Sequence, residues 1–138
     1  MLSKVENRSA LKETILVVED EILVRSTIAE YLRSCGYRVI EAVNADEAME
    51  VIRHLEIKLD IVFSDIEMPG TMDGFALASW IRKHRPELDV ILAGSVRRAA
   101  DSAKKLCEDG PLPKPYQAEA VVRRIRRLMA ARASRQQR

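Results

Sequence analysis

The chain of 138 residues has few aromatic residues, two cysteines and no long hydrophobic run. Aromatic residues make up 4% of it and hydrophobic residues 47%, so we expect an aliphatic core. Cys35 and Cys107 form no disulfide framework and have no partner at metal-ligand spacing, so we interpret both as reduced thiols. No apolar run approaches the roughly 20 residues that span a bilayer, and residues 1–12 lack the apolar stretch of a signal peptide. These absences favour a cytoplasmic domain that does not interact with membranes.

Acidic residues are missing from residues 121–138, although the net charge of the whole chain is only +2. The same segment contains Arg123, Arg124, Arg126, Arg127, Arg132, Arg135 and Arg138. Apolar residues recur among them at helical spacing, which predicts a helix with an arginine-rich face. That face is interpreted as a solvated surface, or else as a docking surface for an acidic partner or weak nonspecific nucleic-acid affinity. Sequence-specific nucleic-acid binding is not expected, because the segment contains no separate reading element.

Aliphatic runs and amphipathic segments alternate along the chain. The runs at residues 14–18, 37–41, 60–64 and 89–93 predict strands, and a very short fifth strand is expected after residues 110–111. Five helices are predicted. The first covers about 21–35, the second begins after its cap at Asn44, and the third ends before Pro86. The fourth covers about 96–107, and the fifth is the arginine-rich segment. This alternation predicts an α/β fold with a five-stranded parallel sheet and helices on both faces. We expect a flexible segment over residues 1–12, one domain over 13–131 and a basic tail over 132–138.

Charged residues follow several predicted strands at the point where each strand ends. Glu19 and Asp20 follow the first strand, Asp65 follows the third, and Lys114 follows the short fifth. The carboxyl ends of parallel strands lie at one edge of a sheet, where open α/β sheets bind ligands. Carboxylates this close repel one another unless a cation lies among them, and Mg²⁺, or Mn²⁺ in its place, suits oxygen ligands. This set of groups is typical of phosphoryl transfer to a carboxylate.

Three pieces of the sequence occur in a familiar order and spacing. They are Ile-Leu-Val-Val-Glu-Asp-Glu at 15–21, Asp-Ile-Glu-Met-Pro-Gly at 65–70 with Met-Asp-Gly after it, and Leu-Pro-Lys-Pro-Tyr at 112–116. From Thr14 to about Ala131 the chain resembles a response-regulator receiver domain of two-component signalling, of the single-domain type. The resemblance implies a flavodoxin-like (βα)5 fold with strand order 2-1-3-4-5.

The resemblance also implies the roles of the charged residues. Asp65 would accept a phosphoryl group from a phosphohistidine on a sensor histidine kinase or a phosphotransfer protein, and Lys114 would contact the phosphate. Asp20 and Asp65 would bind Mg²⁺ through their side chains. Glu67 would bind it through its backbone carbonyl, and Glu19 mostly through water.

Two positions depart from the family pattern. The family has Ser or Thr directly after the fourth strand, where this chain has Gly94 with Ser95 one residue later. A switch Tyr or Phe is expected three residues before the lysine, where this chain has Pro111. The usual coupling between a hydroxyl and an aromatic ring therefore lacks both parts.

Three functions are compatible with this pattern. The first is a phosphorylated receiver that signals through altered protein contacts at the helix over 96–107, the fifth strand and the arginine-rich helix, as a monomer or weak dimer. It would be a signalling phosphoacceptor and not an enzyme. The second is a pseudo-receiver that binds proteins independently of phosphorylation, as Gly94 and Pro111 suggest. The third is a small metal-dependent phosphatase or similar enzyme with a carboxylate nucleophile.

Overall fold

The computed structural model describes residues 13–54, 56, 58–94 and 112–136 of the chain. Up to residue 94, strands and helices alternate along them, as the sequence predicts. The elements are β1 (Thr14–Val18), α1 (Ile22–Ser34), β2 (Arg38–Ala42), α2 (Ala45–His54), β3 (Ile61–Asp65), α3 (Gly74–His84), β4 (Asp89–Gly94), β5 (Leu112–Pro113) and α4 (Ala118–Gln136). The helix predicted over about 96–107 lies outside the described residues, so α4 is the arginine-rich helix.

The strands form one parallel sheet in the order β2-β1-β3-β4-β5. Its first four strands have five or six residues each, and their order confirms an α/β, flavodoxin-like arrangement. β5 is limited to Leu112 and Pro113, which pair with Ala93 and Gly94 of β4. The fifth strand is therefore a two-residue contact at the edge of the sheet.

Helices cover both faces of this sheet because its central strands are apolar on both sides. All five residues of β1 and of β3 are buried, which is typical of central parallel strands. On one face, Ile28 of α1 and Ile125 of α4 belong to the core. On the other face, Ile52 of α2 and Leu77 of α3 do so. Among the helices of the described residues, none is long and apolar enough to cross a membrane.

Trp80, the single tryptophan, lies between charged or titratable groups of α2 and α3. Its ring stacks on His84 with a centroid separation of 4.8 Å, and the Arg53 guanidinium carbon lies 5.4 Å from its centroid. His54 and His84 are both exposed. Trp80 therefore belongs to the contact between α2 and α3.

The C-terminal helix α4 extends beyond the predicted end of the domain, to Gln136. Arg132, near its end, is only 17% exposed and is held at the amino-terminal ends of β3 and β4. Its guanidinium lies 3.2 Å from Asp60 Oδ1 and 2.7 Å from Asp89 Oδ2, and donates to the backbone carbonyls of Asp60 and Glu87. Residue 131 lies inside this helix, and Arg132 pairs with acidic groups at the start of β3 and β4.

Candidate functional site

The parallel register brings the carboxyl ends of the strands to one edge of the sheet. Val18 pairs with Ser64, and Asp65 pairs with Ala93 of the next strand. Gly94, one residue further along β4, pairs with Pro113 of β5. The residues at the end of β3 and just after β1 and β5 therefore surround one small region, as the sequence predicts.

Three carboxylates meet there. Glu19, Asp20 and Asp65 each offer an oxygen atom, and these atoms all lie within 4.8 Å of one another. Glu19 and Asp65 are buried, with 3% and 4% of their surface exposed, whereas Asp20 is exposed. An oxygen-only set with one solvent-facing member fits a hard divalent cation that keeps several of its waters.

Lys114 supplies a positive charge to the buried carboxylates. Its Nζ lies 2.8 Å from Asp65 Oδ1 and 3.3 Å from Glu19 Oε1. The backbone N–H of Lys114 donates to the Gly94 carbonyl at 2.6 Å, so the end of β4 holds the lysine in place. The Lys114–Pro115 peptide bond is cis.

The protonation equilibria at this edge reflect burial and crowding. Burial raises the pKa of Glu19 from 4.5 to about 7, and the Asp65 charge and a hydrogen bond with Asp20 act in the same direction. The Glu21 backbone and the Lys114 charge oppose this rise. Burial by itself would lower the pKa of Lys114, but its hydrogen bond and attraction to Asp65 outweigh burial, so that pKa is raised. The raised pKa of Lys114 favours its charged form, whereas the raised pKa of Glu19 favours the neutral carboxylic acid.

Comparison with known proteins decides the family. The family model of the response regulator receiver domain matches residues 15–126. The chain belongs to this family. The resemblance inferred from the three sequence pieces is thereby confirmed, and the acidic cluster of this receiver domain fits the magnesium-binding site of the family.

Two curated relatives contain a similar receiver domain. The chain is 36% identical over 131 residues to the sensor kinase CckA of Brucella abortus (strain 2308), which covers 91% of the chain and 14% of CckA. It is 33% identical over 116 residues to the transcriptional regulatory protein ResD of Bacillus subtilis (strain 168), which covers 83% of the chain and 47% of ResD. The chain thus spans less than half the length of either relative.

A solved structure of similar fold contains a metal complex. The response regulator protein TrrA of Thermotoga maritima, crystallised in complex with Mg(2+)-BeF, is 29% identical to this receiver domain. The two structures superpose with a TM-score of 0.74, covering 84% of this chain and 98% of that one.

The loop after Asp65 is fixed by the start of α3. Asp73 caps this helix by accepting a hydrogen bond from the Ala76 N–H at 2.9 Å, and the Gly74 N–H donates to the Ile66 carbonyl at 2.8 Å. A Cβ atom at Gly74 would overlap the Asp65 carbonyl oxygen and lie 2.7 Å from Ile66 Cα. Glycine at this position therefore lets α3 pack directly on the backbone of Asp65 and Ile66, a role that the sequence analysis missed although Met-Asp-Gly contains it.

Glu67 is exposed, and its backbone N–H lies 3.4 Å from Asp65 Oδ1. Its carbonyl as a metal ligand stays a prediction, as does the water-mediated role of Glu19. Ser95 and Pro111, named as departures from the family pattern, lie outside the described residues.

At Gly94, the room for a side chain is already filled. A Cβ atom there would lie 2.7 Å from Ile66 Cδ1, 3.2 Å from its Cβ and 3.3 Å from its Cγ1. Ile66 is fully buried. Ile66, the residue after Asp65, thus fills the space that a side chain at residue 94 would need, and residue 94 carries no hydroxyl.

Tyr116 places an aromatic ring next to Lys114 and Glu19 of the site. The ring packs edge-on against Phe63 of β3, with a centroid separation of 5.4 Å. Burial raises the pKa of its hydroxyl to about 12, with the Glu19 charge adding to this effect. Its position two residues after Lys114 was visible in the sequence, but its contact with β3 was not.

Proposed function

We propose that this receiver domain accepts a phosphoryl group on Asp65 from a phosphohistidine of a sensor histidine kinase or phosphotransfer protein. The observation that carries the proposal is the ion pair between the buried Asp65 carboxylate and the Lys114 ammonium, at 2.8 Å, beside Glu19 and Asp20. A carboxylate at a sheet edge with one permanent cation and two further acidic groups suits transfer of an anionic group.

In the proposed reaction, a carboxylate oxygen of Asp65 forms a bond to phosphorus as the phosphorus–nitrogen bond of the donor breaks. The imidazole leaves as the neutral ring after taking up a proton, and Asp65 becomes an acyl phosphate. Lys114 then has the phosphoryl oxygens as its anionic partners in place of the Asp65 carboxylate.

Asp20 and Asp65 are the side chains that would hold Mg²⁺, or Mn²⁺ in its place, with the Glu67 carbonyl and a water on Glu19 completing the site. When bound, such an ion neutralises negative charge on the phosphoryl oxygens and on the carboxylates. The Mg(2+)-BeF complex of TrrA supports this assignment.

A partner protein has a surface to approach beside this site. Ile22 and Leu23, which follow the acidic loop, are 64% and 80% exposed. An open groove of about 660 Å³ next to them runs between α1 and Tyr116 and is bordered by Lys114. We propose that the phosphoryl donor docks on this side, and that the response passes to a further protein through β5, α4 and residues 96–107.

Cytoplasmic location, a monomeric or weakly dimeric state and the absence of sequence-specific nucleic-acid binding are parts of the same proposal, in which the domain is a signalling phosphoacceptor and not an enzyme.

A pseudo-receiver is the second candidate, and Gly94 is the observation that favours it. With Ile66 filling the space beside Gly94, a hydroxyl that grips a phosphoryl group is absent at residue 94. Such a module would bind its partner without modification of Asp65.

The two candidates differ in one measurement, the intact mass of the protein after incubation with acetyl phosphate, with and without Mg²⁺. A receiver gains one phosphoryl group in the presence of Mg²⁺, and Asp65→Asn gains none. Asp46→Asn, at an exposed position of α2, is the matched control and behaves as wild type. Wild-type protein that stays unmodified with acetyl phosphate while folding normally contradicts the receiver proposal and favours the pseudo-receiver.

A further inference from the structure

Arg25 of α1 reaches back to the acidic loop that joins β1 to this helix. Its Nη1 donates a hydrogen bond of 2.9 Å to the backbone carbonyl of Glu19, and its Nε lies 3.3 Å from Glu41 Oε1. Only 12% of the Arg25 side chain is exposed. A guanidinium suits this place, because its donors form a rigid planar fork that can meet two acceptors at once.

The contact with Arg25 completes the restraint of Glu19. The Glu19 N–H donates to the Ala42 carbonyl at the end of β2, at 3.1 Å, while its carbonyl accepts from Arg25. Its carboxylate accepts from the Glu21 N–H at 3.3 Å. With both backbone groups of Glu19 engaged, the directions in which the Glu19 and Asp20 side chains leave the chain are fixed.

A second arginine of α1 shares the same carboxylate without contacting the loop. Arg33 Nη2 lies 3.1 Å from Glu41 Oε2 and donates to the Val39 carbonyl at 3.1 Å. Arg33 therefore links α1 to β2 as Arg25 does, but these side-chain contacts are with β2 and not with the acidic loop. This difference separates a general effect on packing from an effect on the acidic loop.

We propose that Arg25 is a positioning residue of the phosphoacceptor site, which holds Glu19 and Asp20 in the arrangement that receives a divalent cation. The inference rests on the proposed function, since this is the cation that phosphorylation of Asp65 uses. Without Arg25, the Glu19 carbonyl and Glu41 lose a charged donor, and the loop gains freedom that binding must remove. Removing a group that hydrogen-bonds to a metal ligand and orients it commonly lowers metal affinity by roughly 10- to 100-fold.

The experiment is a calorimetric titration of wild-type protein, Arg25→Met, Arg25→Lys and Arg33→Met with Mg²⁺. The Mg²⁺ Kd rises about tenfold in Arg25→Met and stays within about twofold of wild type in Arg33→Met. Arg25→Lys keeps the charge but cannot bridge two acceptors with a fork, so its Kd lies between the two. Both Met variants lose contacts between α1 and β2, so both are expected to lose stability. Urea unfolding of the same four proteins measures this loss of stability separately from the loss of Mg²⁺ affinity.

An unchanged Kd in Arg25→Met overturns the proposal, and so does an equal rise in Arg33→Met, since the Glu41 contacts alone would then explain it. If Arg25→Met does not fold, Arg25→Lys decides, and a wild-type Kd in that variant overturns the proposal. A wild type that shows no Mg²⁺ binding does so as well. A wild type that binds Mg²⁺ yet takes no phosphoryl group from acetyl phosphate contradicts the proposed function alone, and the Kd comparison at Arg25 still decides this inference.

Discussion

Lys114 Nζ lies 2.8 Å from Asp65 Oδ1, and the same ammonium contacts Glu19 at 3.3 Å. One cation thus serves two buried carboxylates. A divalent cation would act on the same charges, so the lysine and the metal contribute to one electrostatic balance.

Replacing this lysine therefore makes the fold more dependent on metal. Lys114→Gln is expected to lower the free energy of unfolding in metal-free buffer by about 1–3 kcal/mol, because two buried carboxylates lose their cation. Saturating Mg²⁺ should stabilise this variant more than wild type, since binding to the folded state alone shifts the unfolding equilibrium. Urea unfolding with and without Mg²⁺ measures both effects, with the exposed Lys83→Gln as control. An equal Mg²⁺ increment in Lys114→Gln and wild type contradicts the prediction.

Gly94 and Ile66 should behave as a coupled pair. Gly94→Ser is expected to destabilise the protein by about 1–3 kcal/mol through overpacking against Ile66. Ile66→Val removes the methyl group nearest to the new Cβ, so the double variant should lose less stability than the sum of the single variants. Ile81→Val, also fully buried, is the control pairing and should be additive with Gly94→Ser. Additive losses for the Ile66 pair would show that the new side chain fits without displacing Ile66.

The pH dependence of stability should carry the signature of Glu19. Burial raises the pKa of this carboxyl from the ordinary 4.5 to about 7 in the folded protein, so the folded state binds more protons between these values. Stability then falls as pH rises through this range, by up to about 3 kcal/mol from this group. Chemical unfolding in metal-free buffer at a series of pH values measures the slope. Glu19→Gln should lack this fall, and the exposed Glu30→Gln should keep it; identical slopes in wild type and Glu19→Gln would rule out the assignment.

Arg132 should be important for stability although it lies beyond the end of the family match. Arg132→Ala leaves the partly buried carboxylates of Asp60 and Asp89 without their cationic partner, and we expect a loss of about 2–4 kcal/mol. Arg135→Ala, three residues later and exposed, should change stability by less than about 0.5 kcal/mol. Thermal and urea unfolding of both variants provide the test, and equal stabilities would show that the ion pairs contribute nothing.

The fold and the centre of the site were predictable because strands and strand ends leave strong local signals. Aliphatic runs identified β1, β3 and β4, and their polar ends identified Glu19, Asp20 and Asp65. Lys114 followed from the same rule, since parallel strands end at a common edge.

The missed features depend on contacts that only the folded backbone brings about, whether the residues are six or more than 40 positions apart. Arg25 is an ordinary helix residue until the turn before α1 brings the Glu19 carbonyl within its reach. Arg132 looked like part of a solvated basic face because Asp60 and Asp89 are more than 40 residues away from it. Ile66 appeared in the sequence only as part of the Asp-Ile-Glu-Met-Pro-Gly piece, and only packing shows that it occupies the space at Gly94.

The position of Trp80 determines what intrinsic fluorescence of this protein can report. The indole lies six residues after the start of α3, roughly 9 Å along the helix axis from Gly74, and its immediate neighbours are His84 and Arg53. Its emission is therefore an optical probe of the α2–α3 contact. The flank of the molecule where α2 meets α3 is therefore where tryptophan emission reports most directly.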